Sequence, residues 1–331
     1  MEVRSLGRTG LKVTSLCLGT MTFANQADQK TSFAIMDAAH AAGVNFIDTA
    51  DVYPLGADKS QSGATEEIVG AWLQGRRHDV VLATKCFGAM GNGDNDRGLS
   101  RRHIMDAVEG SLRRLRTDYI DLYQAHQFDP TTPIEETIRA FDDLVRQGKV
   151  RYVGVSNWRA WQVAKAQGIA ERKDYARIDS VQPRYNLLFR MIEDELAPLC
   201  QSEGVGLITY NPLAGGVLTG RYKPGQTVEK GTRFGLERAG AMYQERYWRE
   251  PAFAAVERYR SWCEERGRDM TATAVKWVTQ QPGVTSAIIG ASRPAQLAGS
   301  LAAAATKPLA PDELADLDAL WFSLPRRRED R

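Results

Sequence analysis

Four side chains able to do acid–base work recur at matched places in this chain: Asp48, Tyr53, Lys85 and His126. Three of them follow short apolar runs that read as β-strands. Asn45–Ile47 precedes Asp48, Val80–Ala83 precedes Lys85 and Tyr119–Tyr123 precedes His126, while Tyr53 comes five residues after Asp48. Where parallel strands close into a barrel, their C-terminal ends converge on one mouth. A carboxylate, a phenol, an ammonium and an imidazole delivered there could serve a carbonyl-to-alcohol conversion. That reaction needs a hydride at carbon and a proton at oxygen, and the proton donor must stand within hydrogen-bond reach. A free phenol, with a pKa of about 10, is a weak acid near neutrality. A neighbouring ammonium favours the phenolate and lowers that value, and a carboxylate paired with the ammonium limits the penalty of burying it. On this chemistry Tyr53 is the general acid, Lys85 its tuner, Asp48 the orienter and His126 the polarising group. Taken singly, each has a plainer reading, Asp48 as a helix cap and His126 as packing; the order and register of all four favour the site.

The elements that must position these groups alternate along the chain. Eight runs have strand character: Ser15–Leu18, Asn45–Ile47, Val80–Ala83, Tyr119–Tyr123, Tyr152–Val155, Ser180–Gln182, Gly206–Tyr210 and Ser286–Ile289. Between them lie segments with helical spacing. Arg101–Leu115 carries Ile104, Val108, Leu112 and Leu115, and Ile134–Arg146 carries Ile134, Ile138, Phe141 and Val145. Thr31–Ala42, Thr65–Leu73, Ala160–Ala170, Ile192–Glu203, Thr273–Thr279 and Gln296–Ala304 complete the series. Gly43, Gly148 and Gly204 mark helix ends. The pattern predicts an α/β fold, a (β/α)8 TIM barrel forming one domain over residues 1–331. Val3–Leu6 and Leu11–Val13 predict an N-terminal hairpin placed to plug the barrel's bottom, and Asp312–Leu320 an extra C-terminal helix. Two connections, Gly88–Leu99 and Arg221–Glu250, exceed plain joints and are expected to wall or cover the mouth.

Composition narrows the function. A net charge of +2 offers no broad basic field for nucleic acid, and no apolar stretch approaches the roughly 20 residues that span a bilayer. The four cysteines, Cys17, Cys86, Cys200 and Cys263, are scattered; they predict reduced thiols in a cytoplasmic protein, and no metal-ligand spacing is present. The segment MEVRSLGRTGLKV has no apolar core of the kind a signal peptide carries, and the C-terminal PRRREDR reads as a solvated tail. LGRTG lacks the spacing of a dinucleotide-binding glycine loop.

The segments FIDTADVYP, LATKCFG, YIDLYQAH, VRYVGVSNW, VQPRYNLL, ITYNPLAGGVLTGRY and IIGASRPAQL, in that order and each at a strand end, resemble the aldo-keto reductase superfamily from about Leu6 to Leu301. The likeness is greatest to bacterial and fungal aryl-alcohol dehydrogenase-like members, and the general pattern is shared with potassium-channel β-subunits. The resemblance implies the roles already given to Asp48, Tyr53, Lys85 and His126. It also implies a nicotinamide cofactor, with Ser156, Asn157 and Gln182 on its amide and Tyr210 stacked on its ring. Leu213, Gly215, Gly216 and Leu218 would line the pyrophosphate, the glycines letting backbone approach anionic oxygens. Gly290–Gln296 opens a helix whose N-terminus suits phosphate. Ser292 and Arg293 would hold a 2′-phosphate, which favours NADPH over NADH, and Gln296 would meet the adenosine. The chain departs from the family pattern at Gly299 and Ser300, where Glu and Asn usually contact adenine, and at Pro54, where Gly is usual. For the substrate, Met21, Phe23, Phe87, Met90, Trp158, Tyr243 and Trp248 predict an apolar, aromatic cleft for an aromatic or bulky carbonyl compound, or its alcohol. Monomer and homo-oligomer stay equally open.

Overall fold

Eight parallel strands close on one another in the computed structural model, which describes residues 1–326; residues 327–331 of the expected tail lie outside them. In chain order the strands are β1 (Val3–Ser5), β2 (Lys12–Thr14), β3 (Leu16–Gly19), β4 (Phe46–Asp48), β5 (Val81–Cys86), β6 (Ile120–Ala125), β7 (Val150–Ser156), β8 (Ile178–Gln182), β9 (Gly206–Tyr210) and β10 (Val284–Ile289). β3 to β10 form the barrel, with β10 closing beside β3, and β1 and β2 pair antiparallel as a separate hairpin. The helices are α1 (Gln29–Ala41), α2 (Ala64–Trp72), α3 (Arg101–Leu115), α4 (Ile134–Arg146), α5 (Ala160–Lys173), α6 (Leu196–Glu203), α7 (Gly240–Tyr247), α8 (Glu250–Glu265), α9 (Met270–Gln280), α10 (Pro294–Leu301) and α11 (Pro311–Phe322).

The local reasons are ordinary ones. Asp28 opens α1 by accepting a bond from the Thr31 amide at 2.8 Å, and Asp269 opens α9 from Ala272 at 2.7 Å. The expected Ile192–Glu203 helix is shorter: a 3₁₀ turn at Met191–Glu193 precedes α6. Starting at Leu196 keeps Pro198 in the first turn, where its missing N–H is harmless. Helices α7 and α8 lie outside the expected series. The first falls inside the long Arg221–Glu250 connection. The second buries Phe253, Val256, Tyr259 and Cys263, a helical spacing present in the sequence.

Alternation along the strands divides the barrel into layers. Cys17, Phe46, Ala83, Leu122 and Ile208 point inward and pack on Leu6 and Val13 of the hairpin, which plugs the bottom. Two residues further along each strand the inward position is Gly19, Asp48, Lys85, Gln124 and Tyr210. The outward set, including Leu18, Ile47, Leu82, Tyr123, Val153 and Val181, belongs to the larger core shared with the helices. Asp48 and Lys85 were expected just past their strands; instead Asp48 ends β4 and Lys85 lies within β5. The apolar run stops before the strand does, because the upper inward positions are polar.

Candidate active site

The β4 connection is zipped to β5 before it turns. The Thr49 amide donates to the Ala83 carbonyl at 2.9 Å and the Asp51 amide to the Lys85 carbonyl at 3.1 Å. A tight turn, Tyr53 N–H to Ala50 carbonyl at 3.2 Å, then swings the phenol over the barrel. The Lys85 Nζ lies 5.0 Å from the Tyr53 ring centroid, and the Tyr53 and His126 rings meet edge-on with centroids 5.6 Å apart. Lys85 is fully buried; its ammonium donates to Asp48 Oδ2 at 2.5 Å and to the Thr49 carbonyl at 2.8 Å. His126 follows β6, its amide bonded to the Cys86 carbonyl at 2.9 Å. All four groups therefore share one mouth.

Two glutamines complete the arrangement. Asp48 Oδ1 accepts from Gln182 Nε2 at 2.8 Å and from Gln124 Nε2 at 3.1 Å, so both carboxylate oxygens are satisfied. Gln124 was not foreseen, although it stands two residues before His126 in YQAH and so shares its face. Room for it depends on Gly154: a Cβ there would come within 2.9 Å of Gln124 Cγ and 2.6 Å of Ser180 Oγ. Gln182 departs from expectation, since its NH₂ is given to Asp48 and to Gln124 Oε1.

The electrostatics follow from burial. Burial alone would push the Lys85 ammonium down; Asp48, then Tyr53, more than offset it, and the group lies above its ordinary value. The Tyr53 phenol was expected to be lowered. Here burial raises it above the ordinary phenol value, the Lys85 charge offsetting only part of the effect. His126 is pushed down to about 3 by burial and then by the Lys85 charge, so its imidazole is neutral near neutrality. A neutral phenol and a neutral imidazole at one mouth can each give a hydrogen bond to a ligand oxygen.

Behind the site lies a buried carboxyl, Asp51. Among the described residues neither of its oxygens meets a donor at bonding geometry. Burial, and next the Glu66 charge, push it well above the ordinary aspartate range against a weaker pull from Arg114. Glu66 is already bound, by Thr84 Oγ1 at 2.6 Å and Arg114 Nε at 2.8 Å. An acid whose proton is held more tightly in the folded chain loses stability as pH rises above its unfolded value of about 3.9. Asp51→Asn should therefore stabilise the protein, and its advantage in urea denaturation should be larger at about pH 8 than at about pH 5. An advantage that shrinks with rising pH contradicts this assignment.

The residues expected around a cofactor divide into groups. Ser156, Asn157, Gln182 and Tyr210 are knit together: Tyr210 donates to Asn157 Oδ1 at 2.9 Å, and Asn157 Nδ2 to Ser156 Oγ at 3.0 Å and to the His126 carbonyl at 3.1 Å. Asn157 holds a left-handed φ of 60°. After β9, Ala214, Gly215 and Gly216 run through φ of 51°, 72° and 104°. A Cβ on Gly215 would sit 3.0 Å from Phe234 and 3.2 Å from Tyr243, at a φ of 72° that strains any side chain, so glycine suits the position. The Gly215 and Gly216 amides are already used, on Asn211 Oδ1 at 2.7 Å and the Leu213 carbonyl at 2.8 Å. Leu213 is half-buried and Leu218 is buried in the core. At the start of α10, Gly290, Arg293 and Gln296 are exposed, and Ser292 donates both its amide, at 2.9 Å, and its hydroxyl, at 3.0 Å, to Gln296 Oε1. Arg293 has no partner among the described residues. Ser300 is buried on the inner face of α10, and a Cβ on Gly299 would lie 3.2 Å from Thr271.

The aromatic candidates are not one cluster. Phe23 is wholly enclosed in the core. Trp248 packs at 4.8 Å from Phe234, 5.1 Å from Tyr222 and 5.2 Å from Phe253, as the hub of the long connection. Tyr243 is close enough to act electrostatically on Tyr53. Trp158 is buried against Phe128 at 5.2 Å, while Phe87, Met21 and Met90 are half-buried. The connection itself crosses the mouth: Gln26 Nε2 reaches the Gly231 carbonyl at 2.7 Å and Arg238 pairs with Asp58 at 2.6 Å. Among the described residues no cluster could hold a metal ion, no helix is long and apolar enough to cross a membrane, and the four cysteines are buried and unpaired.

Comparison with known proteins bears on this geometry. Residues 15–321 match the family model described as the aldo/keto reductase family. An uncharacterized oxidoreductase of Bacillus subtilis, YrpG, is 41% identical over 92% of this chain and 91% of its own length. A probable voltage-gated potassium channel subunit beta of rice is 38% identical over 99% of both chains. The aldo-keto reductase dtxS3 of Metarhizium robertsii is 34% identical over 99% of this chain and 92% of its own.

Proposed function

The chain belongs to the aldo/keto reductase family, whose members act as oxidoreductases on carbonyl compounds, and we propose that it is an NADPH-dependent reductase of aromatic or bulky apolar aldehydes and ketones. The observation that carries the reading is the buried Asp48–Lys85 pair beneath the Tyr53 phenol. NADPH, when bound, supplies the hydride that reduces the carbonyl carbon. Tyr53, protonated throughout the neutral range, gives its proton to the oxygen as negative charge develops there. Lys85 stabilises the phenolate left behind, and Asp48, fixed by Gln124 and Gln182, keeps the ammonium aimed at it. His126, neutral, donates a hydrogen bond that orients the carbonyl. The same groups run the reaction backwards for an alcohol, with Tyr53 as base. Buried, unpaired thiols support a cytoplasmic setting.

The residues present fit a phosphorylated dinucleotide. Gly215 and Gly216 keep the turn after β9 free of side chains, and among the described residues Arg293 has no partner at a helix start. Ser156, Asn157 and Tyr210 would hold the nicotinamide; Gln182 would act on it only through its remaining carbonyl oxygen. Ser292 and Arg293 would hold the 2′-phosphate. Arg293→Ala should raise KM for NADPH by about tenfold or more, the worth of a lost charge-assisted bond, and leave KM for NADH unchanged. Equal effects on both cofactors would remove the 2′-phosphate from this role.

A panel of aldehydes and ketones, each tried with NADPH and NADH, tests the function as a whole. Turnover of the aromatic members with NADPH is the expected result. The description of the rice relative favours a second reading, a regulatory subunit that holds its cofactor. Under it, cofactor would stay bound through purification and steady turnover would be negligible.

A further inference from the structure

At the closed end of the barrel lies a basic cleft of about 870 Å³ that the proposed chemistry leaves unused. It opens between the C-terminal turn of α3 and the starts of β6 and β7; His126, by contrast, follows the far end of β6. Five cations line it, Arg77, Arg113, Arg116, Lys149 and Arg151, against two carboxylates, Glu109 and Asp118. The lining is thus net +3, whereas the whole chain carries +2 and everything else sums to −1. Such an excess of one sign in a concave surface favours an anionic ligand.

Some of these charges are already engaged. Lys149 pairs with Glu109, and Arg77 with Asp121 at 2.8 Å. Arg113 and Arg116 have neither an ion pair nor a hydrogen bond from their side chains among the described residues. Among the described residues Arg151 reaches the Gly148 carbonyl, at 2.9 Å, and the Tyr119 ring. A helix dipole accounts for cations in the last turn of α3. It does not account for Arg151, brought in by a different element to the same cleft. Arg116 also holds a left-handed φ of 53°, a conformation glycine adopts freely and an arginine does not. Tyr119, the aromatic ring of the cleft, is covered by two guanidiniums, Arg77 at 3.8 Å and Arg151 at 4.8 Å from its centroid. With two guanidiniums already on that ring, the cleft's remaining chemistry is charge.

We infer that this cleft binds a compact polyanion carrying phosphate groups, either an inorganic polyphosphate or the phosphate chain of a nucleotide. Unpaired guanidiniums match phosphate oxygens in bidentate geometry. Calorimetric titration of the full chain with inorganic tripolyphosphate tests it. With the mouth occupied by saturating NADPH, one site is expected, weakened by added salt and at least about tenfold weaker in R113Q/R116Q. R151Q, on another element, should weaken binding in the same direction should the double variant fold poorly by circular dichroism. ATP in place of tripolyphosphate separates the sources. Equal affinity identifies the phosphate chain alone as the ligand, and tighter ATP binding identifies a nucleotide. Absence of binding, or binding kept at native affinity in both R113Q/R116Q and R151Q, overturns the assignment.

Discussion

Replacing Tyr53 with phenylalanine should lower NADPH-dependent turnover of 4-nitrobenzaldehyde by roughly 10² to 10⁴-fold, the usual contribution of a positioned proton donor. The variant removes one hydroxyl from a side chain that is 8% exposed, so the fold and NADPH binding should survive. The pH dependence carries a second signature. Burial holds the phenol above its ordinary value and His126 is neutral down to about 3, so neither group changes charge between about pH 5 and pH 8. Aldehyde reduction by the native protein should lack an imidazole inflection there. Alcohol oxidation, which needs the phenolate, should rise into the alkaline range. Unimpaired turnover in Tyr53→Phe, with aldehyde consumed at the native rate, would dispose of the proton-donor role.

The second large effect is on stability. Lys85 is fully buried and Asp48 is 3% exposed. Removing one partner of such a pair leaves a charge in the interior and typically costs about 3–5 kcal/mol. Asp48→Asn should therefore show that loss in urea denaturation, together with loss of turnover. Asp48→Asn/Lys85→Met, which removes both charges, should recover most of the stability and none of the turnover, because the damage in the single variant comes from the stranded ammonium. The sign with pH is fixed. Lys85 lies above its unfolded value, so its stabilising contribution is complete below about pH 10 and is lost only as pH climbs through the folded value. A double variant no more stable than Asp48→Asn would show that the pair does not set the stability of this region.

The four groups at the mouth were legible because strand ends in a parallel barrel all face one way. Asp48 continues the inward face of Phe46, and Lys85 that of Ala83, a period of two that can be counted along the chain. Helices α3 and α4 were legible to the residue, since their apolar positions recur at helical spacing. The pairing of Asp48 with Lys85 was legible too; the two glutamine partners of Asp48 were not. Gln124 and Gln182 lie 76 and 134 residues away from it, and nothing local says that their amides will turn to it. The aromatic residues misled for a related reason. Phe23 and Trp248 have the composition of a pocket wall, yet one is enclosed in the core and the other anchors the long connection to itself.

Periodicity and the identity of its polar residues determined, from the sequence alone, that strands and helices alternate and that an acid, a phenol, an amine and an imidazole meet at one end. Those are properties of short windows and of backbone geometry. Only the folded structure decided how strongly Tyr53, Lys85 and His126 hold their protons, which glutamines satisfy the carboxylate, that among the described residues neither Asp51 oxygen meets a donor at bonding geometry, and that Arg113 and Arg116, unpaired among those residues, gather with Arg151 at the opposite end. Desolvation and charge pairing sum over every atom within several ångströms, and those atoms come from segments that only barrel closure brings together.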